Sequence, residues 1–529
     1  CHSAISAYLV FSLIYYMLNY KIKSAKDMTI DELIGQVIMV GLPYDYLDEE
    51  YKKFIKQYKI GNYILFARNY TDSVQMKDFM KELYIYTQEV VGSFPLVSID
   101  QEGGMVVRLL KDVTFPASPL TTSASMVENA PYKTGKIIAS DMLKMGINLN
   151  LAPCLEINEG LSNPLVNVRV YGANKEIVLK NAKLFVKGLQ EMGVLSCIKH
   201  FPGDGSSVQD SHLGLPIMNE SKEELFNYNM YPFVNLLESD ALMSGHCLYT
   251  SFDDVPSTLS KLLLTDLLRK DLGYQGLVIS DGMEMKAIAD TYGIGEGCIM
   301  ALNAGCDILL LCHELSEQQE AFDFVKKAVA EGKISIDLLK EKVLRINQAK
   351  EKAKKALEKY FNESEYEVVQ EEHSLMQEIV DQSFTLIKGK EPYLTSNSLI
   401  MVANARVATM AEDKLGSSNL ENSLRKSFPE NKIIKINSDI KLIEEINEYD
   451  NVIIYSYDAC FDKEQAEVIN KILTTNKEVF VVSLKGPIDQ KCFSNLINYS
   501  CLYEYTPNSI KTIIKQLKKE ITLNGRLPL

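Results

Sequence analysis

Histidine is scarce in this chain, six residues among 529, and several familiar catalytic signatures are missing altogether. There is no CxxC and no Cys/His spacing of the kind that holds structural zinc. No Walker A, G-x-S-x-G or H-E-x-x-H motif occurs, which removes phosphate-loop, serine-elbow and zincin chemistry. The "GIGEGC" stretch (293–298) has glycines but no strand before it, and reads as a loop entering a helix. Excess positive charge is absent too. The net charge is -14, and a nucleic-acid partner would require a basic face to replace counterions. Internal repeats and low-complexity tracts are lacking. The ten cysteines stand singly, mostly inside apolar runs such as "AGCDILLLC", as small core residues do. That mildly favours a reducing setting.

A chain of this length exceeds one hydrophobic core and predicts two domains. It opens with an apolar run, "AISAYLVFSLIYYMLNY" (4–20), followed by Lys21, Lys23 and Lys26. The run falls a little short of the roughly 20 residues that span a bilayer, and suits a signal-peptide core or a marginal anchor. The expectation is an envelope protein, membrane-anchored or exported. The cytoplasm is the alternative, since a positive-inside count alone leaves the rest of the chain there.

From residue 28 onward, eight short β-rich runs alternate with amphipathic helical stretches: 36–42, 62–67, 95–100, 147–157, 194–201, 241–247, 276–281 and 306–312. Their centres are continuously apolar, as in parallel strands buried on both faces. The pattern predicts a (β/α)8 TIM-type barrel, with a doubly wound open sheet as alternative. A long charged helix (334–360) closes it. A second β/α alternation follows, with strands at 398–405, 432–437, 451–457 and 478–484, which predicts a smaller three-layer α/β sandwich. The resulting boundaries are an apolar segment at 1–27, the barrel at 28–360, a polar connector at 361–390 and the second domain at 391–529.

The polar residues fall at strand ends. "SIDQEGG" supplies Asp100 and Glu102, "KHFPGDG" supplies Lys199, His200 and Asp204, "SGHC" supplies His246, and "ISDGMEM" supplies Asp281, with Met283 beside it. In a barrel these ends converge on the face that carries the active site. Asp281 could instead cap a helix starting near Met283. Asp210 and His212 stand two apart in a Gly/Ser-rich loop. There the carboxylate could fix the imidazole tautomer and raise its pKa, or the two could form only a self-bonded loop pair. Lys199, Arg108 and Arg169 suit gripping hydroxyl or carbonyl oxygens, or salt bridges to barrel carboxylates.

Four ordered stretches, "SIDQEGGMVVRL", "NPLVNVRVYG", "CIKHFPGDGSSVQDSHLGLP" and "GLVISDGMEMKAIADTYG", resemble signatures of glycoside hydrolase family 3. They are most similar to the β-N-acetylglucosaminidase, NagZ-like, branch of two-domain type. The resemblance implies Asp281 as nucleophile and His212, paired with Asp210, as acid/base. It implies Asp100, Arg108, Arg169, Lys199 and His200 as residues that bind the sugar. His246, Asp204 and Met283 are further candidates. Asp204 replaces a histidine common in the family, "RVYG" replaces the more usual "RSFG", and Glu156 replaces an aspartate. These departures bear on specificity rather than on the reaction.

The implied reaction is retaining hydrolysis of terminal β-linked N-acetylglucosamine from muropeptides or chitooligosaccharides, through a glycosyl-aspartate intermediate. It requires no metal and no cofactor. A histidine starts near pKa 6.5 and so can hold a proton near neutral pH, where an ordinary carboxylic acid cannot. The loop is expected to close over substrate. The expected partner is a carbohydrate, not a nucleic acid, and the expected state is a monomer. Alternatives are another glycone such as β-glucoside, an N-acetylglucosaminide phosphorylase, a non-catalytic sugar-binding protein, or a metal-dependent amidohydrolase-like barrel. The last would be signalled by an H-x-H in the first strand, and "QVIMVGL" has none.

Overall fold

The computed structural model describes residues 21–161, 163, 166–203, 214–363, 370–405, 419–436 and 446–529. Asp204, Asp210 and His212 lie outside the described residues, as does the apolar run at 4–20. Among the described residues no helix is long and apolar enough to cross a membrane.

Eight parallel strands close into a barrel: β1 (Ile38–Gly41), β2 (Asn62–Leu65), β3 (Leu96–Ile99), β4 (Leu149–Asn150), β5 (Leu195–Phe201), β6 (Ala241–Ser244), β7 (Leu277–Gly282) and β8 (Ile308–Leu311). The order runs consecutively around the ring, and β8 pairs back onto β1. The TIM-type reading is therefore correct, and the open sheet is not. Strands β1, β2, β3, β6 and β8 are buried at every position, because the interior fills one face and helices cover the other. Helix boundaries follow local chemistry. Asp72 accepts the Val74 and Gln75 amides at the start of helix Ser73–Val91, which stops where Gly92 turns to φ 73. Gly293 alone separates helix Lys286–Tyr292 from helix Ile294–Ala304, so "GIGEGC" is the first turn of a helix after a one-residue break rather than a loop.

The fourth strand is much shorter than the sequence suggests. Pro153 brings no N–H to a ladder. Beyond Asn150 the chain follows β5 only through single contacts, with the Leu155 amide donating to the Lys199 carbonyl at 2.7 Å.

Among the described residues the second domain holds a six-stranded sheet: β9 (Thr385–Lys388), β10 (Ser398–Val402), β11 (Lys432–Lys435), β12 (Asn451–Ser456), β13 (Glu478–Ser483) and β14 (Asn498–Cys501). Its order is β9-β14-β13-β12-β10-β11, with only β9 antiparallel. Alternation along the central strands feeds two cores. Leu399, Met401, Val452 and Ile454 pack with Ile469 and Ile472 of helix Lys463–Leu473 on one face. Ile400, Val402, Ile453 and Tyr455 pack with Leu424 and Ile513 on the other. That second core also takes in barrel residues Met105, Leu161 and Val168. The stretch expected as a connector carries helix Gln370–Asp381 and strand β9. Met376, Ile379 and Val380 of that helix pack on barrel residues Ala130 and Ile137.

Of nine described cysteines seven are buried, while Cys460 and Cys492 are half-buried.

Candidate active site

The carboxyl ends of the barrel strands surround a cavity of about 660 Å3. Asp100, Glu102, Arg108, Arg169, Lys199, His200 and Asp281 all line it. Residues more than 180 positions apart in sequence thus meet because parallel strands present all their carboxyl ends on one face.

Its wall includes a buried ion network. Lys199, on β5, places Nζ 2.7 Å from Asp100 Oδ1 and 2.7 Å from Glu102 Oε1. Arg169 grips the same Glu102 with Nε at 2.9 Å and Nη2 at 2.7 Å. Arg108 Nη2 stands 3.5 Å from Asp100 Oδ2. The three cations do form salt bridges to barrel carboxylates, and they do so on the wall of the cavity. Burial alone would raise the Glu102 carboxyl. The Arg169 and Lys199 charges outweigh it and hold the group well below the usual carboxylate range. For Lys199, burial favours the neutral amine, but Asp100 and Glu102 outweigh it and keep the ammonium charged. Such a network is rigid, since removing any member strands the others in a medium of low dielectric.

His200 is held by one carboxylate oxygen. Glu156 Oε1 accepts both the His200 backbone N–H and Nδ1–H, each at 2.7 Å. A carboxylate only accepts, so Nδ1 carries the proton and Nε2 faces the cavity. Nε2 lies 4.0 Å from Asp281 Oδ2.

Asp281 is more open than Asp100 or Glu102. Its side chain is 22% exposed, against 16% for Asp100 and 1% for Glu102. The Gly282 N–H donates to its Oδ1 at 2.8 Å. The helix after β7 begins at Lys286 with Met285 at its N-cap, so Asp281 caps no helix. A carboxylate held by its neighbour's amide and turned toward a cavity can attack an electrophilic carbon.

Two candidates lie elsewhere. His246 is buried beneath the strand ends, with Nδ1 2.9 Å from Thr258 Oγ1 and Nε2 2.9 Å from the Gly282 carbonyl. It supports the backbone next to Asp281 and does not itself line the cavity. Met283 is fully buried in the hydrophobic core.

The structure also brings in residues the sequence reading passed over. Arg68, after β2, donates to the carbonyls of Leu42 at 2.8 Å and Cys312 at 2.7 Å, and lies over the Phe66 ring at 4.4 Å. Its Nη1 is 3.2 Å from His313 Nδ1. Glu284 accepts the Cys312 N–H at 2.7 Å, and burial pushes its carboxyl up. Arg68, Glu284 and His313 all line the cavity. Each follows directly on the end of a barrel strand, so the rule that located Lys199 and Asp281 also points to "FARN" and "LCHE".

Among the described residues one trio has metal-ligand spacing: Cys154, Glu156 and His200, with ligand atoms within 4.8 Å of one another. Arg169 Nη2 stands 3.5 Å from Cys154 Sγ. That guanidinium opposes a cation there, and burial pushes the thiol well up, against the thiolate a metal needs.

Residues 29–349 match the family model described as the glycosyl hydrolase family 3 N terminal domain. A beta-hexosaminidase of Photobacterium profundum is 33% identical over 296 residues, covering 55% of this chain and 85% of that protein. Beta-hexosaminidase A of Pseudoalteromonas piscicida is 30% identical over 323 residues, and the match spans 54% of each chain. Among solved structures, a glycoside hydrolase family 3 beta-N-acetylglucosaminidase from Paenibacillus sp. str. FPU-7 superposes with a TM-score of 0.87 at 29% identity. That match covers 95% of this chain and 98% of the other. It extends over both domains.

Proposed function

The chain belongs to glycosyl hydrolase family 3 and is a glycoside hydrolase; from that premise we propose that it is a retaining exo-β-N-acetylglucosaminidase in which Asp281 is the nucleophile. The observation that carries this reading is the placement of Asp281. It lines the cavity at the carboxyl end of β7 and is more exposed than Asp100 and Glu102, whose charges are paired. Relatives named for β-N-acetylhexosamine cleavage support the choice of glycone.

In this mechanism the terminal sugar lies against Asp100, Lys199, Arg169, Arg108 and His200, which orient its hydroxyls. Asp281 attacks the anomeric carbon. The aglycone oxygen leaves with a proton from His212, held by Asp210. The same imidazole then deprotonates water, which cleaves the glycosyl ester and returns Asp281 to its carboxylate. The roles of His212 and Asp210 rest on their motif, since both lie outside the described residues. Muropeptides and chitooligosaccharides are the substrates this reading favours. The apolar run at 4–20 supports action at the cell envelope, which fractionation of cells expressing the chain tests.

The test is initial rates on nitrophenyl β-N-acetylglucosaminide and nitrophenyl β-glucoside, for wild type and Asp281→Ala, with and without EDTA or phosphate. The proposal expects turnover of the acetylated sugar, loss in the variant and indifference to EDTA. Preference for the glucoside, acceleration by phosphate with release of a sugar phosphate, or loss with EDTA would each overturn it.

A further inference from the structure

The two loops that carry the buried arms of the site do not rest on the barrel alone. Arg169 closes a 3-10 turn, Asn167–Arg169. Val168, between the two named ends, is buried in the second domain's core. Asn167 itself has φ 30, in the left-handed region, and its Nδ2 donates to Asp458 Oδ1 at 3.4 Å. Asp458 follows β12, also in the left-handed region at φ 46. Its other oxygen, Oδ2, accepts Lys485 Nζ at 3.0 Å. Lys485 follows β13 and is fully buried. Next to it Gly486 lies so close to Asn167 that a Cβ would sit 2.7 Å from Asn167 Oδ1. The loop after β3 is held from the same domain. The Ser118 N–H donates to Glu504 Oε2 at 2.7 Å, and Ser118 backs directly onto Gly104, two residues from Glu102.

Apolar packing would suffice to dock two domains. A fully buried lysine is costly unless its charge is paired, yet here one is placed so that its partner carboxylate bonds the residue two before Arg169. We propose that Asp458 and Lys485 are positioning residues for the sugar site, setting the Arg169 guanidinium on Glu102 through Asn167. The second domain is then part of the working site although none of its described residues lines the cavity. This inference rests on the reading of Arg169 and Glu102 as part of the sugar-binding wall.

The test uses the full chain with Asp458→Asn and Lys485→Met, measured two ways. Steady-state rates on nitrophenyl β-N-acetylglucosaminide are expected to show KM raised at least tenfold, with N-acetylglucosamine inhibiting correspondingly more weakly and kcat changed less. Hydrogen exchange is expected to speed up at least tenfold at the Arg169 amide, which donates to the Val166 carbonyl at 2.8 Å, while the β12 and β13 amides stay protected. Lys485→Arg is expected to recover most of both losses. KM within twofold of wild type together with unchanged exchange at 166–170 would overturn the proposal. So would deprotection spread evenly over β12 and β13, which marks a merely structural pair. If wild type turns over no glycoside, the function reading fails by itself, and the exchange comparison still decides whether this pair holds the Arg169 turn.

Discussion

Replacing Glu102 with Gln tests the network on which the sugar wall depends. The wild-type carboxylate is almost wholly buried and accepts three charge-assisted bonds, two from Arg169 and one from Lys199. Gln keeps one acceptor oxygen and loses the charge. Lys199 retains Asp100 at 2.7 Å, whereas Arg169 is left with its contact to Cys154 Sγ at 3.5 Å. Breaking a buried ion pair on one side costs about 3–5 kcal/mol. The retained acceptor and the Asp100 pair place this case near the lower end, about 3 kcal/mol, or roughly a hundredfold in the folding equilibrium. Urea unfolding followed by circular dichroism measures it. The Glu102→Gln/Arg169→Met double variant should lose less than the sum of the single losses by at least about 1 kcal/mol, because the second change removes the charge that the first strands. The pH dependence has a fixed sign. The folded-state pKa of Glu102 is depressed, so its contribution is fully present above the unfolded value of about 4.3 and is lost as pH falls through the folded value below it. The stability gap should therefore stay constant from neutral pH down to about pH 5 and close only in strong acid. Equal stability of Glu102→Gln and wild type at neutral pH, or strict additivity in the double variant, would refute the reasoning.

Three further outcomes follow from buried titratable groups. Lys350 is fully buried at the amino-terminal end of the barrel, where it donates to Gln36 Oε1 at 2.6 Å and the Gly61 carbonyl at 3.0 Å, and burial lowers its pKa to about 7. Its contribution is present above the unfolded value near 10.4 and lost as pH falls toward the folded one. Wild type should thus gain about 2 kcal/mol on Lys350→Met between pH 7 and 9, read from paired urea curves. Asp489 runs the opposite way. Burial raises its carboxyl to about 6, despite bonds from Ser456 Oγ and the Ala459 N–H. Its contribution is present below the unfolded value of about 3.9 and lost as pH rises through about 6. Asp489→Asn should gain about 2 kcal/mol on wild type between pH 4 and 7. Glu156→Gln removes the charge that fixes His200 Nδ1–H, and kcat/KM on the acetylated aryl glycoside should fall about tenfold, equivalent to about 1.4 kcal/mol. An unchanged value would show that His200 needs no such orientation.

The barrel was legible because its strands are doubly buried, so composition alone marks them. The fourth was overdrawn because an apolar stretch with Pro153 packs against β5 without a regular ladder. Strands β9 and β14 escaped notice for the converse reason. "TLIK" is a half-buried edge strand, and "NYSC" is buried but polar. Helix Gln370–Asp381 was hidden in a charged run whose few apolar residues reach the barrel only after folding. In the site, the rule of strand ends found Asp100, Lys199, His200 and Asp281. It misjudged His246 because a tip residue can point inward as readily as outward, and only tertiary contacts decide. Met283 failed likewise, lying in the core. The salt bridges of Lys199 and Arg169 join residues about 70 to 100 positions apart, which no local pattern can register.

The proposed mechanism turns on a covalent bond between Asp281 and the sugar. A fluorinated N-acetylglucosaminide with a good leaving group, turned over slowly, should leave its glycosyl residue on the enzyme for peptide mapping by mass spectrometry. A single modified peptide containing Leu277–Gly282 is expected, with the mass increment on Asp281 and no increment in Asp281→Ala. An adduct on another carboxylate, or turnover with inversion at the anomeric carbon and no adduct at all, would contradict it.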